Sequence, residues 1–296
     1  MRKILYTALS LLLVSAVFTN CTKEGVFNPK NKISKVYAAN NGTKFLLQEW
    51  TWDENLLTKM WDYPNDTTLY SYEKKQLSKV EMNGLTRSVY AEFAYNGKLY
   101  DKIDVYERVS KAKIANLTFT YDKKKVSKIV ETIYATTKSA GSMQNNFLCA
   151  VIPTMILEET QKMVNVLPMQ KANEDMVITH EMTYEKDNLK EWKISYTNGK
   201  SKVEKVFSYS SYDEKKCPYY ASNPLIIDNG TSGDPQTPFF KNNPLKITCT
   251  QSVNGTAGEP TIYEYKYQYN KDKFPTEAIR KQMPIDFSDT TYYEYL

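Results

Sequence analysis

Residues 119–131 read "FTYDKKKVSKIVE", and residues 70–81 read "YSYEKKQLSKVE". In each, aromatic and aliphatic residues alternate with polar ones on both sides of a charged centre. Period-2 alternation around a short polar cluster is the pattern of a β-hairpin. Apolar residues do not recur at three- and four-residue spacing, which excludes an amphipathic helix. Closing the turn over Asp122–Lys125 sets Tyr121 opposite Val126, Phe119 opposite Lys128 and Leu117 opposite Val130 on one face. Thr118, Thr120, Ser127, Ile129 and Glu131 then occupy the other face.

Working outward, "WTWDENLLTKM" (50–60) and "FAYNGKLYDKI" (93–103) superpose on these two stretches without a gap. The shared pattern is aromatic, any residue, Tyr or Trp, acidic or Asn, three variable residues, then apolar, any residue, Lys, apolar. "MTYEKDNLKEW" (182–192) fits with Glu191 in the Lys position, and "YSSYDEKKCPYY" (209–220) and "YQYNKDKFPTEA" (267–278) are weaker copies. A motif repeating at this spacing is one supersecondary unit stacked many times. The predicted fold class is therefore all-β: a large curved antiparallel meander of repeated hairpins, as an open or barrel-like sheet.

The straight pairing also predicts cross-strand neighbours Trp50/Lys59, Tyr70/Lys79, Phe93/Lys102 and Phe119/Lys128. A Lys stem lying along a ring contributes about 0.5–1 kcal/mol at an exposed site. Two readings follow. One is a solvated face held together by such pairs, with Lys guarding against edge-to-edge association. The other is an aromatic platform for a glycan or other polymer, with Trp50, Trp52, Trp61, Tyr70, Phe93 and Phe119 as ligand-binding candidates, since broad rings give contact area at low entropy cost.

Composition agrees with strands: the 296 residues include 24 Tyr and 11 Phe, against 10 Gly and a single His. The formal charge of +5 is spread along the chain and argues against nucleic acid as a partner.

The opening "MRKILYTALSLLLVSAVFTNC" places Arg2 and Lys3 before an apolar run from Ile4 to Phe18. That run is too short for a comfortable membrane span and reads as a secretory leader over residues 1–20. The Cys at its end predicts a lipoprotein in which Cys21 is acylated after cleavage, the membrane being a partner through that lipid. Residues 21–32 read as a tether and 33–296 as a single repeat β domain. Within that domain, residues 138–176 lack hairpin units and predict a short helical or irregular insertion. Residues 217–247 are Pro-rich and predict a long irregular loop. With Cys21 lipidated, Cys149, Cys217 and Cys249 remain, so at most one disulfide forms within the chain. A Cys217–Cys249 bridge and buried thiols are both open.

At this point the chain resembles a known group. The Tyr-x-Tyr-acidic hairpins are similar to the Tyr-Asp repeats of large secreted bacterial shell proteins. The leader ending in Cys21, the "CTKE" start, "YDEKKCPYY", "KNNPLKI" and "YNKDKFPTEAI" together resemble a family of Bacteroidetes-type outer-membrane lipoproteins of unknown function with a porin-like fold. That resemblance implies a lipid-anchored sheet at the outer membrane, with the cell surface preferred over the periplasmic side for its display, and implies no activity. A membrane-inserted barrel is not expected, because Lys, Asp and Glu fall on both faces of the hairpins, as at Glu92, Asp101, Lys102 and Asp104.

Catalytic signatures are missing. His180 stands alone in "DMVITHEMTYEK", and there is no zinc-type spacing, phosphate-cradling Gly loop or Gly-x-Ser-x-Gly elbow. Acidic pairs such as Asp53-Glu54 fall at turns, where acids are turn formers. The chain is expected to be no enzyme and to need no cofactor or metal. It reads as an envelope binding protein, or alternatively as a structural or assembly lipoprotein that docks an outer-membrane protein partner.

Overall fold

The computed structural model describes residues 27–40, 43–63, 65–84, 88–134, 175–198, 201–222 and 239–296. The leader, Cys21, Cys149 and almost all of the insertion expected at 138–176 lie outside the described residues. The strands run in chain order. The first half holds β1 (Ile33–Asn40), β2 (Thr43–Asp53), β3 (Leu56–Asp62), β4 (Asp66–Glu73), β5 (Gln76–Asn83), β6 (Ser88–Asn96), β7 (Leu99–Glu107), β8 (Lys113–Asp122) and β9 (Lys125–Ile133). The second half holds β10 (Met176–Glu185), β11 (Asn188–Asn198), β12 (Ser201–Tyr212), β13 (Pro244–Val253), the two-residue β14 (Thr256–Ala257), β15 (Thr261–Tyr269), β16 (Pro275–Met283) and β17 (Phe287–Tyr295).

Each strand pairs antiparallel with its sequence neighbour, β13 pairs with both β14 and β15, and β17 returns to pair with β1. With β14 counted as the start of β15, a closed ring of 16 strands results. The fold is an up-and-down barrel in which closure leaves no sheet edge unpaired.

The expected hairpins form, but with a different register. Asp122 pairs with Lys125 and Tyr121 with Val126 as expected; then the ladder slips, so that Thr120 pairs with Lys128 and Phe119 with Ile129. Ser127 is the extra residue of a β-bulge. The same bulge recurs at Thr58, Ser78, Asp101, Lys190 and Thr276. Because side chains alternate, a one-residue slip exchanges the faces of everything beyond it. Trp50, Tyr70, Phe93 and Phe119 therefore oppose Met60, Val80, Ile103 and Ile129, while Lys59, Lys79, Lys102 and Lys128 oppose Thr51, Ser71, Ala94 and Thr120. The anticipated aromatic–lysine pairs do not form. Ile129 and Glu131 also turn inward, against the straight-pairing expectation.

The repeat's residue choices follow from the bulge. Its Ser or Thr hydroxyl donates across the hairpin: Thr58 to the Thr51 carbonyl (3.2 Å), Ser78 to Ser71 (3.1 Å) and Ser127 to Thr120 (3.2 Å). A bulge disrupts the ladder, and buried carbonyls need a donor. The recurring Tyr of the next hairpin supplies one. Tyr72 Oη donates to the Leu57 carbonyl (2.8 Å), Tyr95 to Leu77 (2.7 Å), Tyr121 to Tyr100 (2.8 Å), Tyr184 to Val126 (2.8 Å) and Tyr212 to Leu189 (2.7 Å). Tyr295 to Pro275 (2.7 Å) and Trp52 Nε1 to Ile33 (2.7 Å) extend the ladder to the seam where the barrel closes. Burial pushes the Tyr72 and Tyr212 phenols well above their ordinary pKa, which keeps them as donors. Tyr121→Phe removes one rung and should lower stability by about 1–2 kcal/mol in urea unfolding, the usual cost of a buried carbonyl losing its donor. An unchanged midpoint would show that the rung carries nothing.

Inward side chains of all the long strands join one apolar cluster, with Leu57, Ile103, Ile178, Trp192 and Phe207 each at 1% exposure or less. Barrels with this many strands ordinarily enclose an aqueous channel; this one is filled. The end carrying the Tyr ladder is also capped. Residues 213–222 and 239–243 of the connection between β12 and β13 fold across it, and residues 223–238 lie outside the described set. Phe240 packs on Tyr209 and Tyr212, Tyr219 on Trp50 and Tyr293, and Phe27 on Trp50 and Trp52. Asp213 fastens the loop, accepting from Lys215 N (2.9 Å), Asn243 N (3.1 Å), Asn243 Nδ2 (3.1 Å) and Tyr269 Oη. Cys217 in this cap and Cys249 in β13 are both buried, and no disulfide joins them.

The outer wall is polar. Ion pairs cover it, along a strand at Lys79–Glu81 (3.2 Å) and across strands at Lys193 with Glu181 (3.0 Å) and Glu204 (3.6 Å) and at Lys246–Glu264 (3.6 Å). Such exposed pairs add little stability. A lipid-facing wall needs an unbroken apolar band, and these ion pairs interrupt the outer face.

Candidate functional site

The six aromatic residues singled out in the sequence separate into two groups. Trp50 and Tyr70 are buried, at 3% and 5% exposure, and Trp52, Phe93 and Phe119 are partly buried against the same core. These five build the barrel interior and its capped end, so they do not form an exposed platform. Trp61 alone faces outward, with its Nε1 donating to Asn65 Oδ1 at 3.4 Å. The cause is again the register, which turns the motif aromatics inward and the motif lysines outward.

A different set of aromatics lies on the outer wall. Tyr90 on β6 pairs directly with Tyr106 on β7; their rings stack at 4.9 Å with an interplanar angle of 12°. Lys79 Nζ sits 4.7 Å and Lys111 Nζ 5.1 Å from the centre of the Tyr90 ring. In the register, Tyr90 faces Glu81, Glu81 faces Leu69, and Leu69 faces Lys59 beside Trp61. On the other side Tyr106 faces Lys113, whose ammonium lies 2.5 Å from Asp104 and 5.7 Å from the Tyr134 ring. An aromatic and charged band thus crosses β3 to β9 on one side of the barrel.

Its electrostatics favour retained charge and a neutral phenol. Burial, then Asp104 and Glu92, raise the Tyr106 pKa, so this phenol stays a hydrogen-bond donor. Burial opposes the Lys113 ammonium, but Asp104 outweighs it and the net shift is upward. Tyr90 and Tyr106 escape the repeat pattern because they lie beyond the bulge, at the hairpin ends away from the motif turns. Alternation in "SVYAEF" (88–93) was the available signal, with Val89 and Ala91 buried on either side of Tyr90.

The interior also holds charged groups. His180 Nε2 lies 3.6 Å from Glu131 Oε2, both residues at 1% exposure. Arg280 forks onto Asp289 with Nε–Oδ1 at 3.0 Å and Nη2–Oδ2 at 2.6 Å. Gln48 donates to Asp62 Oδ1 at 2.8 Å and accepts from Trp50 Nε1 at 3.1 Å. These are enclosed pairs and chains of buried polar groups, in which Glu131 Oε1 and His180 Nδ1 make no hydrogen bond among the described residues. Among the described residues, no three His, Cys, Asp or Glu side chains converge in a metal-binding group.

No family model matches the chain, and no curated protein matches it. Solved structures do. A porin-like protein from Bacteroides vulgatus ATCC 8482 superposes with a TM-score of 0.55 at 11% identity, over 90% of this chain and 99% of that one. A porin-like protein from Bacteroides uniformis ATCC 8492 gives 0.50 at 11% identity, over 92% of this chain and 100% of that one. At this identity the likeness is one of fold, and this chain shares the porin-like barrel architecture with both proteins nearly end to end.

Proposed function

We propose that this protein is a lipid-anchored cell-envelope binding protein, held at the outer membrane by acylated Cys21, that contacts a glycan or similar polymer through its outer wall. The observation that carries this reading is the half-buried, outward-facing Tyr90–Tyr106 stack on β6 and β7, with Leu69 on β4 and Trp61 on β3 across β5 in register. Aromatic rings beside carboxylates and lysines suit a pyranose, whose C–H faces pack on rings while its hydroxyls find charged partners. A filled, capped interior and a polar wall support a barrel that stands outside the bilayer and conducts nothing. The protein acts without catalysis in this reading, since its one histidine is enclosed with Glu131.

The test uses the chain carrying Cys21→Ala, titrated with a panel of polysaccharides and read by tryptophan fluorescence and calorimetry. Saturable binding is expected, and Tyr90→Ala with Tyr106→Ala should weaken it about tenfold or more, as for buried aromatic anchors. Silence across the panel rejects the glycan reading. Acylation is tested separately by metabolic fatty-acid labelling that disappears in Cys21→Ala.

A second reading, a structural lipoprotein docking an outer-membrane protein, is favoured by a different observation. Tyr63, Val109 and Ile285 are 62%, 85% and 66% exposed on turns at the end away from the cap. Substituting these three to Ser while retaining glycan binding would separate the two.

A further inference from the structure

The hairpin connectivity sends the motif turns, residues 213–222 and 239–243 of the cap, and the entry of the chain at Phe27 to one end of the barrel. That end is strongly basic. Within residues 27–32, 53–55, 73–75, 96–98, 122–125, 185–188, 213–222, 239–243 and 270–274, fourteen lysines stand against nine carboxylates.

The placement of these lysines is conformationally costly. Lys74 and Lys75 have φ of 50° and 66°, Lys123 and Lys124 of 48° and 72°, and Lys186 and Lys273 of 55° and 70°. Left-handed backbone disfavours any side chain with a Cβ, by about 1–2 kcal/mol per residue, and two-residue hairpin turns prefer Asn-Gly. The protein uses Asn254–Gly255 (φ 51° and 84°) at the opposite end, where Lys111 (φ 58°) is also left-handed, and Gly97 (φ 65°) in the β6–β7 turn of the capped end itself. Turn geometry therefore does not call for lysine at the capped end. Protection of an open edge does not call for it either, because the barrel is closed. Strained residues that local structure does not require point to function.

We propose that the capped end is a docking face for anionic phospholipid headgroups, with the lysine-tipped turns lying on the membrane surface. Positive charge held at one end complements a negatively charged leaflet, and each Lys or Arg near such a surface adds attraction that falls off within a Debye length. The chain path agrees. Phe27 is wedged between Trp50 and Trp52, and Lys30 pairs with Asp272 at 2.9 Å in the same end. A fully extended chain from Cys21 to Phe27 reaches about 20 Å. A lipid on Cys21 would bring this face, and not the opposite one, to the headgroups; this orientation rests on the anchored reading above, whereas the charge complementarity does not.

The experiment is co-sedimentation of the unacylated Cys21→Ala chain with phosphatidylcholine vesicles, with and without about one-third phosphatidylglycerol, in about 0.1 M salt. Binding is expected only to the anionic vesicles. Lys74→Asn, Lys75→Gly, Lys123→Asn and Lys124→Gly combined should reduce it about tenfold or more. These changes relax the turns, so the thermal midpoint should hold or rise, and lost binding cannot be blamed on unfolding. Replacing Lys44, Lys111, Lys202 and Lys281 at the opposite end with Gln should leave binding intact. The proposal is overturned by equal binding to neutral vesicles, by no binding to anionic ones, or by an equal loss in both variants. Fatty-acid labelling of Cys21 alongside failed vesicle binding would reject the docking face and leave the anchor standing.

Discussion

Trp192→Ala should cost about 3–5 kcal/mol of unfolding free energy, the range for emptying a large aromatic site, and Trp61→Ala should cost about 0.5 kcal/mol or less, the range for a surface change. Trp192 is 1% exposed on the inner face of β11, facing Met182 on one strand and Phe207 on the other. Its ring lies 5.7 Å from Phe207 and 6.0 Å from His180. Removing it leaves a void in a wall whose backbone is pinned by hydrogen bonds on both sides, so little collapse can refill it. Urea unfolding of both variants measures the difference. Similar values for the two tryptophans would contradict the assignment of inner and outer faces, and with it the bulged register.

His180→Leu alone should destabilise the protein by about 3–5 kcal/mol at neutral pH, because it leaves the Glu131 carboxyl buried without its partner. Replacing both, Glu131→Leu with His180→Leu, should be neutral or stabilising by about 1–4 kcal/mol, as when an enclosed ion pair gives way to apolar packing. The pair joins β9 to β10, so its loss is felt at the seam between the two halves of the chain. Among the described residues of β9 to β12, Lys205 is also a buried charged residue, paired in register with Ile194.

The pair also sets a pH dependence. Burial raises the Glu131 pKa, and the contact with His180 only partly opposes this. The native state then holds the proton more tightly than the unfolded chain does. The Glu131 contribution is fully present below its unfolded pKa of about 4.3 and is lost as pH rises through the higher folded value. Unfolding measured across that window should show wild-type stability declining with pH and Glu131→Gln largely removing the decline. A Glu131→Gln profile parallel to wild type would refute the assignment.

Much of the architecture is legible in the chain. Alternation and turn composition are local, and they mark the repeated hairpins and the strand class; of the loop expected over 217–247, residues 223–238 lie outside the described residues and residues 244–247 already belong to β13. The direction in which each strand faces is a different matter. It depends on one unpaired residue after each turn, such as Ser127, and a bulge is stabilised by partners in the next hairpin: Tyr184 Oη reaches the Val126 carbonyl 58 positions away. Straight pairing was the natural inference, and it placed the candidate aromatics on the wrong side. Tyr90 and Tyr106 gain meaning only when β6 and β7 bring them into one stack.

Charge follows the same division. Along the chain the lysines look evenly spread, because every hairpin carries its own. In the barrel the motif turns share one end, so a regular spacing becomes a basic face. The amino-acid sequence by itself determined the repeated hairpin, the strands and the turn residues, since these depend on contacts a few positions apart. Inside and outside, closure through β1 and β17, the filled core and the basic end were decided by the tertiary structure, because each depends on register summed around the whole ring.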